Sequence, residues 1–95
     1  MGLFGPKKTV KITDVFTADE IKAITDVIDP KLKSGEYLAF PQMMAKGVMD
    51  YISRPDKEYG VNKMKGLAKI AKSLQEFEPS LAPILQNGIN KIQAL

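Results

Sequence analysis

Apolar residues recur at helical spacing in four stretches of this sequence, and prolines stand near the boundaries between the stretches. Proline removes a backbone donor and disfavours a helical conformation at the residue before it, so it limits how far each helix extends. The pattern predicts helices over 17–28, 41–53 and 61–77, with a fourth that begins after residue 80. A chain of 95 residues, of which 44% are hydrophobic, can build one domain with a modest core.

The first predicted helix has the clearest boundaries. Thr17 and Glu20 are spaced as a capping box, in which each side chain bonds the backbone N–H of the other residue. We expect this helix to end near Ile28, because Pro30 follows closely and cannot supply a helical hydrogen bond. A short turn that starts at Pro30 then ends at Gly35.

The fourth predicted helix has Ser80 as its N-cap and carries Asn87 and Gly88 near its middle. This pair allows two interpretations. Gly88 can end the helix and precede a separate short one, or it can lie inside a continuous helix where its missing side chain admits a close neighbour. The continuous helix is the favoured interpretation.

The fold class predicted for the chain is all-α, a small bundle of four main helices with an extended N-terminal arm. The arm comprises residues 1–16, and residues 17–95 form a single helical domain. Val10 and Ile12 alternate with polar residues, which indicates a short extended segment over 9–13. No partner strand is evident elsewhere, so we expect this segment to pair with another subunit or to lie as coil.

The sequence contains neither His nor Cys, so it lacks the commonest acid–base residue and the best side-chain nucleophile. No serine has a histidine to activate it, and no glycine loop has the phosphate-binding pattern. We therefore expect no enzymatic activity, no metal, no cofactor and no small-molecule substrate. The absence of Cys and of any apolar run near the ~20 residues of a membrane span favours a cytoplasmic or intracellular protein.

Lysines dominate the third predicted helix, within a chain of net charge +3. The residues considered for a polyanion or protein partner are Lys63, Lys65, Lys69 and Lys72. Lys65, Lys69 and Lys72 form one stripe at helical spacing, whereas Lys63 lies off it. A solvated helix face is the favoured interpretation, and contact with phosphates or an acidic surface is the alternative. Arg54 is the only arginine, which argues against sequence-specific DNA reading.

A second candidate surface consists of apolar and aromatic residues around the second predicted helix. Met43 falls on the polar side of that helix, so we expect it to be exposed. Tyr37, Phe40, Tyr51 and Tyr59 flank the helix, and Phe4 lies in the arm. Packing in the core is the favoured role for the four flanking residues, and anchoring of a protein partner is the alternative for them as for Met43 and Phe4.

These patterns predict a non-catalytic protein–protein interaction module. It would be a small helical subunit or adaptor of a larger assembly, such as a viral or filament structural component. The acidic first helix and the basic third helix either pack together or are solvated faces, which is the favoured interpretation, or they present opposite charges to a partner or a second copy. The alternative function is nonspecific nucleic-acid binding through the lysine-rich helix face, and binding to a membrane surface ranks last.

Overall fold

The computed structural model describes residues 8–95, and the fold they form is predominantly helical. The elements in chain order are strand β1 (Thr9–Lys11), a 3-10 turn (Ile12–Asp14), α1 (Ala18–Ser34), α2 (Ala39–Ile52), strand β2 (Glu58–Gly60), α3 (Val61–Leu74), a second 3-10 turn (Pro79–Leu81) and α4 (Ala82–Gln93). Helix α2 packs between α1 and α3, and α3 packs in turn on α4. The predicted all-α bundle of four main helices is confirmed for the part of the chain that is described.

Helix α1 begins as predicted and ends later than predicted. The Thr17 hydroxyl accepts a hydrogen bond from the Glu20 N–H at 3.1 Å, and the Glu20 carboxylate accepts one from the Thr17 N–H at 2.9 Å. The predicted end near Ile28 was wrong, because the helix continues through Pro30 to Ser34. Contacts of the last turn with the rest of the fold offset the hydrogen bond lost at Pro30. The turn then ends at Gly35, whose φ of 71° is readily adopted by glycine.

The boundaries of the other helices differ from the predicted ones by a few residues. Helix α2 begins at Ala39 rather than Pro41, and Pro41 fits inside its first turn. Helix α3 ends at Leu74, so the predicted extension to Phe77 was wrong. Ser80 was predicted as an N-cap, but it lies in the 3-10 turn that leads into α4.

The N-terminal segment pairs within the chain, which corrects the expectation that it has no partner there. Strand β1 lies antiparallel to β2, with Val10 opposite Tyr59. The Thr13 N–H also donates to the Pro55 carbonyl at 3.3 Å. The partner strand was missed because β2 has three residues inside a polar connection and shows no periodic pattern.

The core includes side chains from all four helices and from the segment before α1. Val10, Ile12, Val15 and Phe16 are buried there, so residues 10–16 are part of the same core as the helices. Residues 1–7 of the predicted arm, with Phe4 among them, lie outside the described residues. The largest fully buried side chains include Phe16, Ile12, Ile24, Ile28, Ile52, Met64, Leu67, Leu74, Leu85 and Ile92.

Helix α4 is continuous through Gly88, as favoured from the sequence. The neighbour that approaches Gly88 is the ring of Phe16, and a Cβ atom at position 88 would overlap that ring. The glycine therefore makes room for a buried aromatic side chain that precedes α1. Within residues 8–95, none of the helices is both long and apolar enough to cross a membrane.

Candidate functional site

Four large apolar side chains are exposed near the N-terminal end of α2 and just beyond α3. Leu38 is 79% exposed, Met43 65%, Phe40 54% and Phe77 39%. We call these four residues the apolar patch. Exposed apolar residues are ordinary when scattered, but a group of large ones is typical of an interaction site.

The patch joins two parts of the chain. The rings of Phe40 and Phe77 meet edge to face, with centroids 6.0 Å apart and an interplanar angle of 64°. Phe40 and Met43 are three residues apart in α2 and therefore project from the same side of the helix. Leu38 is the N-cap residue of this helix. The patch thus spans the start of α2 and the segment that follows α3.

A polar cluster holds these two segments together. Glu78 is buried, at 4% exposure, and accepts hydrogen bonds from Lys31 Nζ at 2.7 and 3.0 Å and from Tyr37 Oη at 2.6 Å. Tyr37 immediately precedes Leu38, and Glu78 immediately follows Phe77. The cluster therefore fixes the backbone on both sides of the apolar patch, which limits the entropy that the patch loses when it is covered.

The cluster also perturbs its ionisable groups. The hydrogen bond to Glu78 raises the pKa of Lys31, against a smaller opposing effect of burial. Burial, followed by the hydrogen bond to Glu78, raises the pKa of Tyr37 well above its usual range. The hydroxyl is protonated at neutral pH, as in any tyrosine, and the raised pKa keeps it a donor to the carboxylate at more alkaline pH.

The predicted interface residues have different environments. Met43 is exposed in the apolar patch, whereas Tyr37 is half-buried and bound to Glu78. Tyr59 is half-buried in β2 and distant in sequence from the patch residues. It lines a separate cleft, which is described below. Sequence reasoning missed Leu38 as a contact, and it assigned Phe77 to the core because the residue continues the apolar spacing of α3.

The lysine stripe lines a groove between α3 and α4. Lys65, Lys69 and Lys72 of α3 line a space of about 360 Å³ together with Ile89 and Ile92 of α4. We call this the lysine groove. Neither α3 nor α4 contains an acidic residue, and within residues 8–95 none of the three lysines forms an ion pair. The groove therefore presents three ammonium groups that are available to an anionic surface.

Lys63 lies elsewhere, because a helix turns by about 100° per residue and places positions 63 and 65 on different sides. Lys63 lines an open cleft of about 470 Å³ where the end of α2, β2 and the start of α3 meet. The rings of Tyr51 and Tyr59 lie in this cleft with centroids 5.2 Å apart, so we call it the tyrosine cleft. The structure thus separates the four predicted lysines into two sites.

Among the described residues, no three acidic side chains are grouped so as to hold a metal ion. Comparisons with protein-family models, with curated proteins and with solved structures found no match.

Proposed function

We propose that this protein is a non-catalytic protein–protein interaction module, a small helical subunit that assembles with further copies of itself. The observation that carries the proposal is the apolar patch. Burial of apolar surface is favourable by roughly 25 cal/mol per Å². Large side chains exposed around the start of α2, with the Phe40 ring against Phe77, therefore favour a partner that covers them. The buried Glu78 cluster supports this role, since a patch on a fixed backbone loses little entropy on docking.

The charges around the patch support a second copy as the partner. Glu36 lies two residues before Leu38, and Glu76 immediately precedes Phe77. Both glutamates are exposed. Neither forms an ion pair among residues 8–95. These carboxylates complement the three free ammonium groups of the lysine groove, and the alkyl chains of those lysines offer apolar walls to the patch.

We infer a contact between the apolar patch of one copy and the lysine groove of the next. Such a contact uses two different surfaces, so each copy keeps one free patch and one free groove. Repetition of the contact produces a ring where the rotation closes and a filament where it does not. A structural subunit of a larger assembly follows from this geometry.

Size-exclusion chromatography with light scattering tests the proposal. The wild-type protein is expected to form multimers that weaken at high salt. The double variants Phe40→Ser/Met43→Ser and Lys69→Glu/Lys72→Glu should each be monomeric. An equimolar mixture of the two should form dimers, because one partner keeps its patch and the other keeps its groove.

The matched control is Lys8→Glu/Lys63→Glu, which changes the net charge by the same amount at exposed lysines that lie outside the groove and form no ion pair among residues 8–95. It should assemble like the wild type at moderate salt. A wild-type monomer at every concentration, or a mixture of the two variants that stays monomeric, would contradict the proposed contact.

The lysine groove also favours a second candidate function, nonspecific nucleic-acid binding. Three unpaired lysines in a row can neutralise phosphates of a single strand, with affinity that falls as salt rises. Fluorescence anisotropy with a labelled oligonucleotide should show a slope of log K against log salt of roughly −2. Loss of binding in Lys65→Gln/Lys69→Gln/Lys72→Gln would support this function, and absent or salt-independent binding would remove it.

A further inference from the structure

The tyrosine cleft is a cavity of about 470 Å³ that the proposed assembly does not use. It contains three cations, Arg54, Lys57 and Lys63, beside a pair of tyrosine rings. We infer that the cleft binds a nucleoside monophosphate, as a free nucleotide or as one unit of a single strand. The inference is independent of assembly through the apolar patch, because none of the patch or groove residues lines the cleft.

The charge of the cleft favours an anionic ligand with one phosphate. Its two carboxylates are Asp50 and Glu58, so the three cations leave one net positive charge. Glu58 accepts a hydrogen bond from the Thr9 hydroxyl at 3.2 Å, and no cation of the cleft is ion-paired among residues 8–95. The guanidinium of Arg54 has the planar fork that binds phosphate through two parallel hydrogen bonds.

The tyrosine pair favours a flat ring beside that phosphate. Tyr51 is held in place because its hydroxyl donates to the Lys63 carbonyl at 2.9 Å. The Tyr59 ring is tilted by 47° to it, and Lys57 Nζ lies 5.2 Å from the centroid of the Tyr59 ring. Lys57 is exposed, so its ammonium group can leave the face of the Tyr59 ring and turn to the phosphate. A nucleobase can then stack on the face of the Tyr59 ring.

The wall that carries Tyr59 is fixed by the N-terminal strand. Val10 is opposite Tyr59 in the two-stranded sheet and is itself buried in the core. The Thr13–Pro55 backbone hydrogen bond attaches the preceding loop to the same segment. The cleft is therefore formed before a ligand arrives, and its volume of about 470 Å³ falls in the usual range of small-molecule sites.

An NMR titration of the full chain with adenosine monophosphate tests the inference. We expect saturable amide shifts confined to residues 50–63, with adenosine and inorganic phosphate each binding at least about tenfold more weakly. The variant Arg54→Gln/Lys57→Gln removes two exposed cations and keeps both tyrosines. It should lose at least about tenfold in affinity for the nucleotide.

The matched control, Lys65→Gln/Lys69→Gln, removes the same charge from the lysine groove and should leave nucleotide binding unchanged.

A deoxyadenosine oligonucleotide separates the two sources of the ligand. Tighter binding of the oligonucleotide than of the mononucleotide, lost in Arg54→Gln/Lys57→Gln, assigns the site to a single strand, and equal binding assigns it to free nucleotides. The inference is overturned if adenosine monophosphate causes no saturable shifts in the cleft, or if Arg54→Gln/Lys57→Gln binds it as well as the wild type does.

Discussion

Tyr37 Oη donates a hydrogen bond of 2.6 Å to Glu78 Oε2 across 41 positions of sequence. The same carboxylate accepts from Lys31 Nζ at 2.7 Å, so one buried acid joins the end of α1, the connection to α2 and the connection from α3 to α4. The residues next to this bond, Leu38 and Phe77, belong to the apolar patch. The position of an exposed apolar surface is therefore set by a buried polar contact.

The Glu78 cluster predicts a loss of stability at alkaline pH. The pKa of Tyr37 is raised from its ordinary value of 10.0, and that of Lys31 from 10.5, so the folded chain holds both protons more tightly than the unfolded chain. Their contribution is complete below about pH 10 and decreases as the pH rises further. The melting temperature of the wild type should fall between about pH 10 and pH 12.

The variant Tyr37→Phe isolates the tyrosine contribution. It should melt below the wild type at pH 8, since Glu78 loses a hydrogen-bond donor. The difference between the two proteins should narrow above about pH 10, where Tyr37 of the unfolded wild-type chain begins to ionise while that of the folded chain keeps its proton. A difference that stays constant up to about pH 12 would contradict the assigned direction of the Tyr37 pKa.

Removal of the buried carboxylate should destabilise the fold. Glu78→Ala leaves Lys31 and Tyr37 without their acceptor, and we expect a loss of about 1–3 kcal/mol in the free energy of unfolding. Urea denaturation followed by circular dichroism measures this loss. The control Asp26→Ala breaks the exposed Lys22–Asp26 pair and should change stability by less than about 1 kcal/mol. Equal effects of the two substitutions would show that the Glu78 cluster contributes little.

Local signals in the sequence predicted the helices well. The Thr17–Glu20 capping box and the C-terminal Gly35 are visible as short motifs, because their hydrogen bonds join residues close in sequence. The apolar spacing likewise predicted where α2, α3 and α4 lie, to within a few residues at their ends. The end of α1 was missed because tertiary contacts, such as that of Lys31 with Glu78, hold the turn that follows Pro30 in a helical conformation. Such contacts between distant residues cannot be read from the local sequence.

The candidate sites depend on contacts between distant residues, which explains why they were predicted only in part. The lysine stripe and its separation from Lys63 could be read from helical spacing, but the groove and the cleft that these lysines line depend on the positions of α4 and α2. Phe77 continues the apolar spacing of α3 and still is exposed, since the helix ends before it. Glu78 carries no signal of burial in the sequence, because its partners Lys31 and Tyr37 are more than 40 residues away.

The pairing of β1 with β2 predicts that the N-terminal strand contributes to stability. Val10 is buried opposite Tyr59, so Val10→Ser should lower the free energy of unfolding by about 1–3 kcal/mol through lost apolar burial. Lys11→Ser, in the same strand with an exposed side chain, should change it by less than about 0.5 kcal/mol. Thermal unfolding measures both, and similar effects of the two substitutions would contradict the packing of this strand on the core.

Substitution of Gly88 by alanine should change stability in the direction opposite to the one that helix propensity predicts. Alanine is favoured over glycine inside a helix by up to about 1 kcal/mol, yet the Cβ atom at position 88 would overlap the buried Phe16 ring. Phe16 is fully buried and has little room to move, so Gly88→Ala should destabilise the protein by about 1–3 kcal/mol. Urea denaturation checks the sign as well as the size of the effect.

The matched control for that substitution is Gly66→Ala in α3. There the Cβ atom would meet Tyr51 Oη at 3.5 Å, an ordinary contact, so propensity should dominate and raise stability by about 0.5–1 kcal/mol. In a double-mutant cycle, Phe16→Leu removes ring atoms that the new methyl group would overlap. Gly88→Ala should therefore cost less in the Phe16→Leu background than in the wild type. An equal cost in both backgrounds would show that Phe16 is not the source of the conflict.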